Sequence, residues 1–371
     1  MALGPLEGFV IGVTADRRWQ DQAELLERRG GTVVHGPTIR TEYLGEDEAL
    51  RTATEAIIER RPDHLVLTTG IGVRAWLEAV QAWGLGDQLL AALADTRVVA
   101  RGPKATAGAQ AAGLAVWDTP GEQLVDVVAR LRSEPLAGRT VAFQHYGEHN
   151  PAAVAALEAE GAEVLELPIY RWRPPFDLEP ACRLVDAVAT RRVDAVTFTS
   201  APAVASLVAV ADDAGLGPEV LEAFNTRDVI GACIGPVCSA AARRAGIVEP
   251  VAPEVGRLGL LVRVLAGVLA DRCQRVVLRG EPMVVQGRAV LVDDRPVDVP
   301  DRERVVLTAL LARRGAVVSR ATFLRALGGE ETSGRALEAT VARLRRRLGP
   351  AGEAIRTVRG RGYLLDAERR A

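Results

Sequence analysis

The chain has 371 residues, with 46 Lys+Arg against 48 Asp+Glu, four histidines and four cysteines. A hydrophobic share of 48% beside 25% charged residues excludes global disorder, and the length predicts two or three domains. No apolar run reaches the roughly 18 to 20 residues of a membrane span.

The opening stretch MALGPLEGFVIGVTADRR has neither a basic start nor a small-residue cleavage site, so no secretory signal is expected. Cys182, Cys233, Cys238 and Cys273 form no CxxC pair, and a reducing cytoplasm is the expected setting. Lys104 is the one lysine, which reads as a base-composition bias. The net charge of −2 hides an asymmetry. From Arg275 onward 20 Arg face 12 acidic residues, whereas the preceding residues hold 26 basic and 36 acidic ones. A basic module behind an acidic body predicts a polyanionic partner for the tail.

Taken in chain order, 9–13, 64–69, 96–100, 140–144, 162–167, 194–200 and 229–235 are apolar runs of strand length, each followed by a helix-like segment. Such alternation predicts parallel sheets covered on both faces. The runs recur at an offset of about 130 residues, the signature of two copies of one α/β unit. Gly8 matches Gly138, Pro37 matches Pro168, Asp63 matches Asp194, Thr68 matches Thr199 and Gly102 matches Gly235. Two such units would face each other across a cleft lined by strand ends and helix N-termini, where anions bind well.

An early strand, a hydroxyl-bearing turn (TTG or FTS) and a GP-type loop before a helix, once per half, resemble the uroporphyrinogen-III synthase family over about residues 6–270. The resemblance implies two α/β domains joined by a two-strand crossover at 36–40 and 167–171. One domain would combine 1–38 with 172–270, and the other would span 39–171. It also implies a cleft for hydroxymethylbilane, a carboxylate-rich linear tetrapyrrole, with Tyr170 at the position of the family's active-site tyrosine. Thr68, Thr69, Thr199 and Ser200 match its hydroxyl turns, and Arg101, Lys104, Gly235 and Cys238 lie in its two GP-type loops. Departures are visible: the family's Thr three residues after each loop Gly reads Ala105 and Cys238. His145 and Tyr146, in QHYGEHN (144–150), are expected to line the cleft. His145 and His149 have HxxxH spacing, but Gly147 opposes a helix there, and no metal or cofactor is assigned. Cys233 and Cys238 read as small packing residues. A phosphoreceiver is not expected, because no acidic pair follows the first strand.

The segment 271–288 is expected to hold a connector and the start of the tail domain, which continues over 289–371. A hairpin is expected at 289–300, a helix at 302–315, and a second helix from an N-cap at Ser319 to the glycine pair 328–329. In the helix expected at 334–348, Leu337, Val341, Leu344 and Leu348 form one apolar stripe. Arg335, Ala339, Ala342, Arg343 and Arg346 face the other way. IRTVRGRGYLLD (355–366) predicts a strand, a tight turn and a strand. These segments resemble the OmpR/PhoB-type winged helix-turn-helix domain, an α+β fold that binds double-stranded DNA. The resemblance implies a helix in the major groove and a wing near the minor groove. Arg335, Arg343, Arg345, Arg346, Arg347, Arg356, Arg359 and Arg361 are expected to meet DNA, chiefly at phosphates, with Thr340 and Arg343 at base edges.

The expected protein is a transcription regulator with a synthase-like sensing body. It resembles actinobacterial regulators of nitrate and nitrite assimilation of this composition. A tetrapyrrole or other anion, a second regulator and a homodimer mate are its further candidate partners. The alternative is an active uroporphyrinogen-III synthase that carries an extra domain.

Overall fold

The apolar runs at 9–13, 194–200 and 229–235 become neighbouring strands of one parallel sheet, in the order Ile230–Cys233, Ala195–Phe198, Val10–Val13, Thr32–His35. The computed structural model describes residues 3–147, 149–327 and 333–367. The chain divides into two units, one of Met1–Thr38 with Asp177–Ala371 and one of Ile39–Phe176.

In the first unit the strands Val10–Val13, Ala195–Phe198 and Ile230–Cys233 are buried throughout, as both-face coverage requires. Ile11 and Val13 pack with Leu26 of the helix Trp19–Glu27 and with Leu261, Leu265 and Leu269 of Leu258–Ala270. On the other face Gly12 lets Leu184 approach, since a Cβ on Gly12 would lie 2.6 Å from its Cδ1.

The second unit holds five parallel strands in the order Val116–Asp118, Arg97–Ala100, His64–Leu67, Thr140–Gln144, Glu163–Leu167. Strand alternation divides its core. Leu65 and Leu67 join Leu50, Ile57 and Trp76 on one face, while Val66, Val141 and Phe143 join Val127, Leu131 and Leu157 on the other. Trp76 is fully buried and donates to Thr54 Oγ1 at 2.9 Å, so its polar atom is satisfied. The crossover is an antiparallel ladder of Arg40–Tyr43 with Tyr170–Arg173, so the second unit extends five residues past the expected return at 171. The copies also differ: the strand Val116–Asp118 has, in the first unit, only a single bridge of Val251 to Ala232 as its counterpart.

The tail's first sheet begins inside the segment 271–288. Gln274–Leu278, Glu281–Gln286, Ala289–Val292 and Arg295–Pro296 form one antiparallel sheet. Val276, Leu278, Met283 and Val285 bury into the same core as Leu337, Val341, Leu344 and Leu348. Their alternation is a strand signal. The hairpin expected at 289–300 turns on Asp293 and Asp294, both with positive φ (50° and 57°), the pattern of a two-residue type I′ turn. Three helices follow, Asp301–Ala312, Arg320–Ala326 and Gly334–Arg347, with a small sheet of Val318–Ser319, Gly362–Leu365 and Ile355–Val358. Ser319 caps the second helix by accepting from Thr322 N at 3.1 Å. The glycine pair expected to end it lies outside the described residues.

The tail belongs to the first unit and is tied to its body. Gln286 Nε2 donates to the carbonyls of Gly4 (2.8 Å) and Glu7 (3.0 Å), and Arg288 N donates to Gly8 O at 2.7 Å. Gly8 has φ +80°, and a Cβ there would stand 2.3 Å from Gln286 O, whereas its repeat partner Gly138 (φ +72°) has nothing within 4 Å. Both glycines serve a left-handed turn, but only Gly8 also admits a neighbouring chain.

Candidate functional site

In the second unit the end of the strand His64–Leu67 gathers most of the residues expected there. Gln144, fully buried at the end of its own strand, receives Thr68 N at 2.6 Å and Thr69 N at 3.1 Å on Oε1. Thr69 caps the helix Gly70–Ala82 through Gly72 N, and its hydroxyl lies 3.4 Å from the Tyr170 hydroxyl. Arg101 donates to Thr68 O at 3.0 Å, and its guanidinium sits 4.3 Å above the Tyr146 ring. Tyr146 and Tyr170 each meet Trp172 edge to face, with ring centroids 6.3 Å apart. Thr68, Thr69, Arg101, Tyr146 and Tyr170 are therefore one cluster. Lys104 is exposed two residues into the next helix, Gly102–Ala111. Ala105 is fully buried, while Thr106 bonds back to Gly102 O at 3.0 Å, so its hydroxyl does not replace the missing one.

Gln144 was not among the expected site residues. Its only sequence signal is a polar residue that ends an apolar run. Its side-chain oxygen takes the backbone N–H groups of Thr68 and Thr69 that a ligand carboxylate would need, and its buried Nε2 has no partner among the described residues.

In the first unit Thr199 and Ser200 are half-buried at the matching turn, and Ser200 makes no side-chain cap bond to the helix Ala201–Asp213. Gly235 precedes the helix Pro236–Arg244 and is buried. Cys238 is 2% exposed and its thiol points to Phe198 O at 3.6 Å, in the manner of a packing residue. Its hydrogen bond to Cys233, and then burial, push the Cys233 thiol well up. The same hydrogen bond lowers the Cys238 thiol, against burial, but at 2% exposure that sulfur is closed off from solvent.

His145, also expected to line the cleft, turns inward. It is 3% exposed and lies beneath its loop on Glu166, Nε2 to Oε2 at 2.7 Å. Burial pushes the imidazole below the ordinary histidine range, against the opposing pull of the Glu166 carboxylate.

The tail presents a basic face. The exposed side of the helix Gly334–Arg347 carries Arg335, Glu338, Ala339, Ala342 and Arg346, and the turn after Ile355–Val358 exposes Arg359 and Arg361. Among the described residues Arg335, Arg346, Arg359 and Arg361 have no ion pair. Other expected contacts are braced within the protein. Thr340 is 1% exposed and bonds to Ala336 O at 2.8 Å, which removes it from any base edge. Arg343 pairs with Glu303 at 2.6 Å and donates to Thr340 Oγ1 at 3.1 Å. Burial alone would raise the Glu303 carboxyl, but the Arg343 hydrogen bond overrides it and holds the group below the usual range. Arg345 donates twice to Ile355 O (2.9 and 2.6 Å), tying helix to wing. Arg347 donates to Asp298 O at 3.1 Å, and Arg356 pairs with Asp366 at 2.9 Å. Arg320, absent from the expected set, reaches this face and pairs with Glu338 at 2.6 Å. No helix among the described residues is long and apolar enough to cross a membrane.

Comparison with known proteins agrees with this division. Residues 20–262 match the family described as "Uroporphyrinogen-III synthase HemD", and residues 294–365 match "Transcriptional regulatory protein, C terminal". The Bacillus subtilis protein named "Uncharacterized protein YjjA" is 33% identical over 269 residues, covering 70% of this chain and 96% of its own. A crystal structure of a mutant uroporphyrinogen III synthase from Thermus thermophilus covers 71% of this chain and 99% of its own, with 30% identity and a TM-score of 0.60. The wild-type enzyme from that bacterium, at 32% identity and the same coverage, gives 0.50.

Proposed function

From a chain that belongs to the uroporphyrinogen-III synthase HemD family and ends in a transcriptional-regulator domain, we infer a DNA-binding transcription regulator whose synthase-like body informs the tail. The observation that carries this reading is the basic face of the tail: Arg335 and Arg346 on one helix side and Arg359 and Arg361 on the wing turn, on a chain whose net charge is only −2. Such a face neutralises phosphates, while small Ala339 and Ala342 let the helix sit deep in a groove. Duplex binding by the full chain, followed by fluorescence anisotropy across a salt series, tests it. Affinity should fall steeply and log-linearly with salt, and Arg346→Ala should lower the slope by about 0.9. A chain with no duplex affinity at low salt is not a regulator of this kind.

The ligand of the body is an anionic small molecule, a tetrapyrrole carboxylate first among the candidates, held by strand-end hydroxyls such as Thr69 and Tyr170. It acts on DNA affinity only through unequal binding to two states of the protein. Gln286 and Arg288, which bond to the loop before Val10–Val13, give a physical route from body to tail. A thermal shift with linear and cyclic tetrapyrroles tests the ligand class. The target genes are those of nitrate and nitrite assimilation, by similarity to regulators of this composition; preference for such promoters over unrelated duplexes tests that assignment. A homodimer and a second regulator on the same promoter complete the reading.

One observation favours the synthase alternative: Tyr170 stands beside Thr69, at the position of the family's active-site tyrosine. Against it stand Ala105, the buried Cys238 and the amides taken by Gln144. A coupled assay from porphobilinogen decides between them. Only the spontaneous type I product is expected, and type III product above that background restores the enzyme.

A further inference from the structure

We propose that His145, His149 and Glu166 form a binding site for a divalent transition-metal ion of the zinc type. The three residues come from separate backbone positions. His145 directly follows the strand Thr140–Gln144, His149 lies later in the same connection before the helix Pro151–Glu158, and Glu166 belongs to the neighbouring strand Glu163–Leu167. His145 Nε2 lies 2.7 Å and His149 Nδ1 3.2 Å from the same oxygen, Glu166 Oε2. One ligand atom from each residue lies within 4.8 Å of the others. A tetrahedral ion with bonds of about 2.0–2.1 Å sets its ligands roughly 3.4 Å apart, so small side-chain movements bring all three onto one ion.

Burial does not explain this convergence. His145 is 3% exposed and gains a sufficient partner in Glu166. His149 has a side chain 69% exposed and could be satisfied by water, yet it turns onto the carboxylate already used. The backbone at Gly147 is closely constrained. Gly147 has φ +79°, its backbone bridges to Arg171, and a Cβ would fall 2.2 Å from the Trp172 indole. Asn150 lies 3.4 Å from His145 Nδ1. Its amide can turn its oxygen to the ring N–H once Nε2 holds an ion, the outer-shell support usual for metal-bound histidine. Two imidazoles and one carboxylate suit Zn²⁺, Co²⁺ or Ni²⁺ and suit Mg²⁺ or Ca²⁺ poorly. The exposed side of His149 leaves a fourth position to water. The site departs from the sequence expectation, because Gly147 was read against a helix and nothing in the sequence brings Glu166 beside the histidines.

Titration of the metal-stripped full chain with Zn²⁺ against a chromophoric chelator, and with Co²⁺ by visible absorption, tests the proposal. One ion per chain and a tetrahedral Co²⁺ spectrum are expected. His149→Ala, an exposed substitution, should weaken binding at least about 10-fold, and Glu166→Gln should do the same. His35→Gln, a substitution in the first unit, should change nothing. Equal affinity of wild type and His149→Ala overturns the site, as does a stoichiometry well below one. Neither outcome depends on DNA or tetrapyrrole binding.

Discussion

Arg343 and Arg346 sit three positions apart on one helix, yet their roles differ. Glu303, with a side chain 5% exposed, depends on Arg343, and Arg343→Ala strands that carboxylate. The expected loss is about 1–3 kcal/mol, discounted because Arg343 itself is partly exposed. Arg346→Ala should stay within about 0.5 kcal/mol of wild type and act on DNA instead. Chemical denaturation of both variants separates brace from contact; equal stabilities would refute the assignment. Glu42 offers a pH test. Its hydrogen bond to Arg171, aided by Arg173 and Arg40 against burial, lowers its pKa to about 2 from the ordinary 4.5. A carboxyl depressed in the folded state stabilises fully above its unfolded pKa. That contribution drains away as pH falls from about 4.5 towards 2. Glu42→Gln should therefore flatten the acid side of the Tm–pH curve, and an unchanged curve would remove Glu42 from the acid response.

At the scale of elements, the attachment of the tail rests on backbone groups that only Gly8 leaves accessible. A valine there meets both a positive φ and the Gln286 carbonyl. Gly8→Val should detach the strands Glu281–Gln286 and Ala289–Val292 from the body while leaving the tail's own core intact. Limited proteolysis should then cut near 271–274 faster than in wild type, and an unchanged cleavage rate would count against the latch. Gly138→Val, strained by φ alone, is the control. The tail's apolar stripe was legible because Leu337, Val341, Leu344 and Leu348 repeat at helical spacing. Its opening strands were harder to see, since their partners are each other and a helix some sixty residues on.

For the whole molecule, each unit has its own core. Calorimetry of the full chain should resolve two transitions, with the tail melting together with the discontinuous unit. Gly8→Val should add a third. A single transition in wild type would mean that the units unfold as one.

A family resemblance supplied the winged-helix form of the tail, while residue pattern alone determined seven strands of the two parallel sheets, their repeat and the tail's basic character. These are written in short-range periodicity and composition, which record burial directly. Tertiary structure alone decided which arginines are free and which are braces, where the Gln144 amide points, what Gly8 admits and why His149 meets Glu166. Each depends on partners tens to hundreds of residues away, and no local pattern encodes a distance between side chains that only the finished packing brings together.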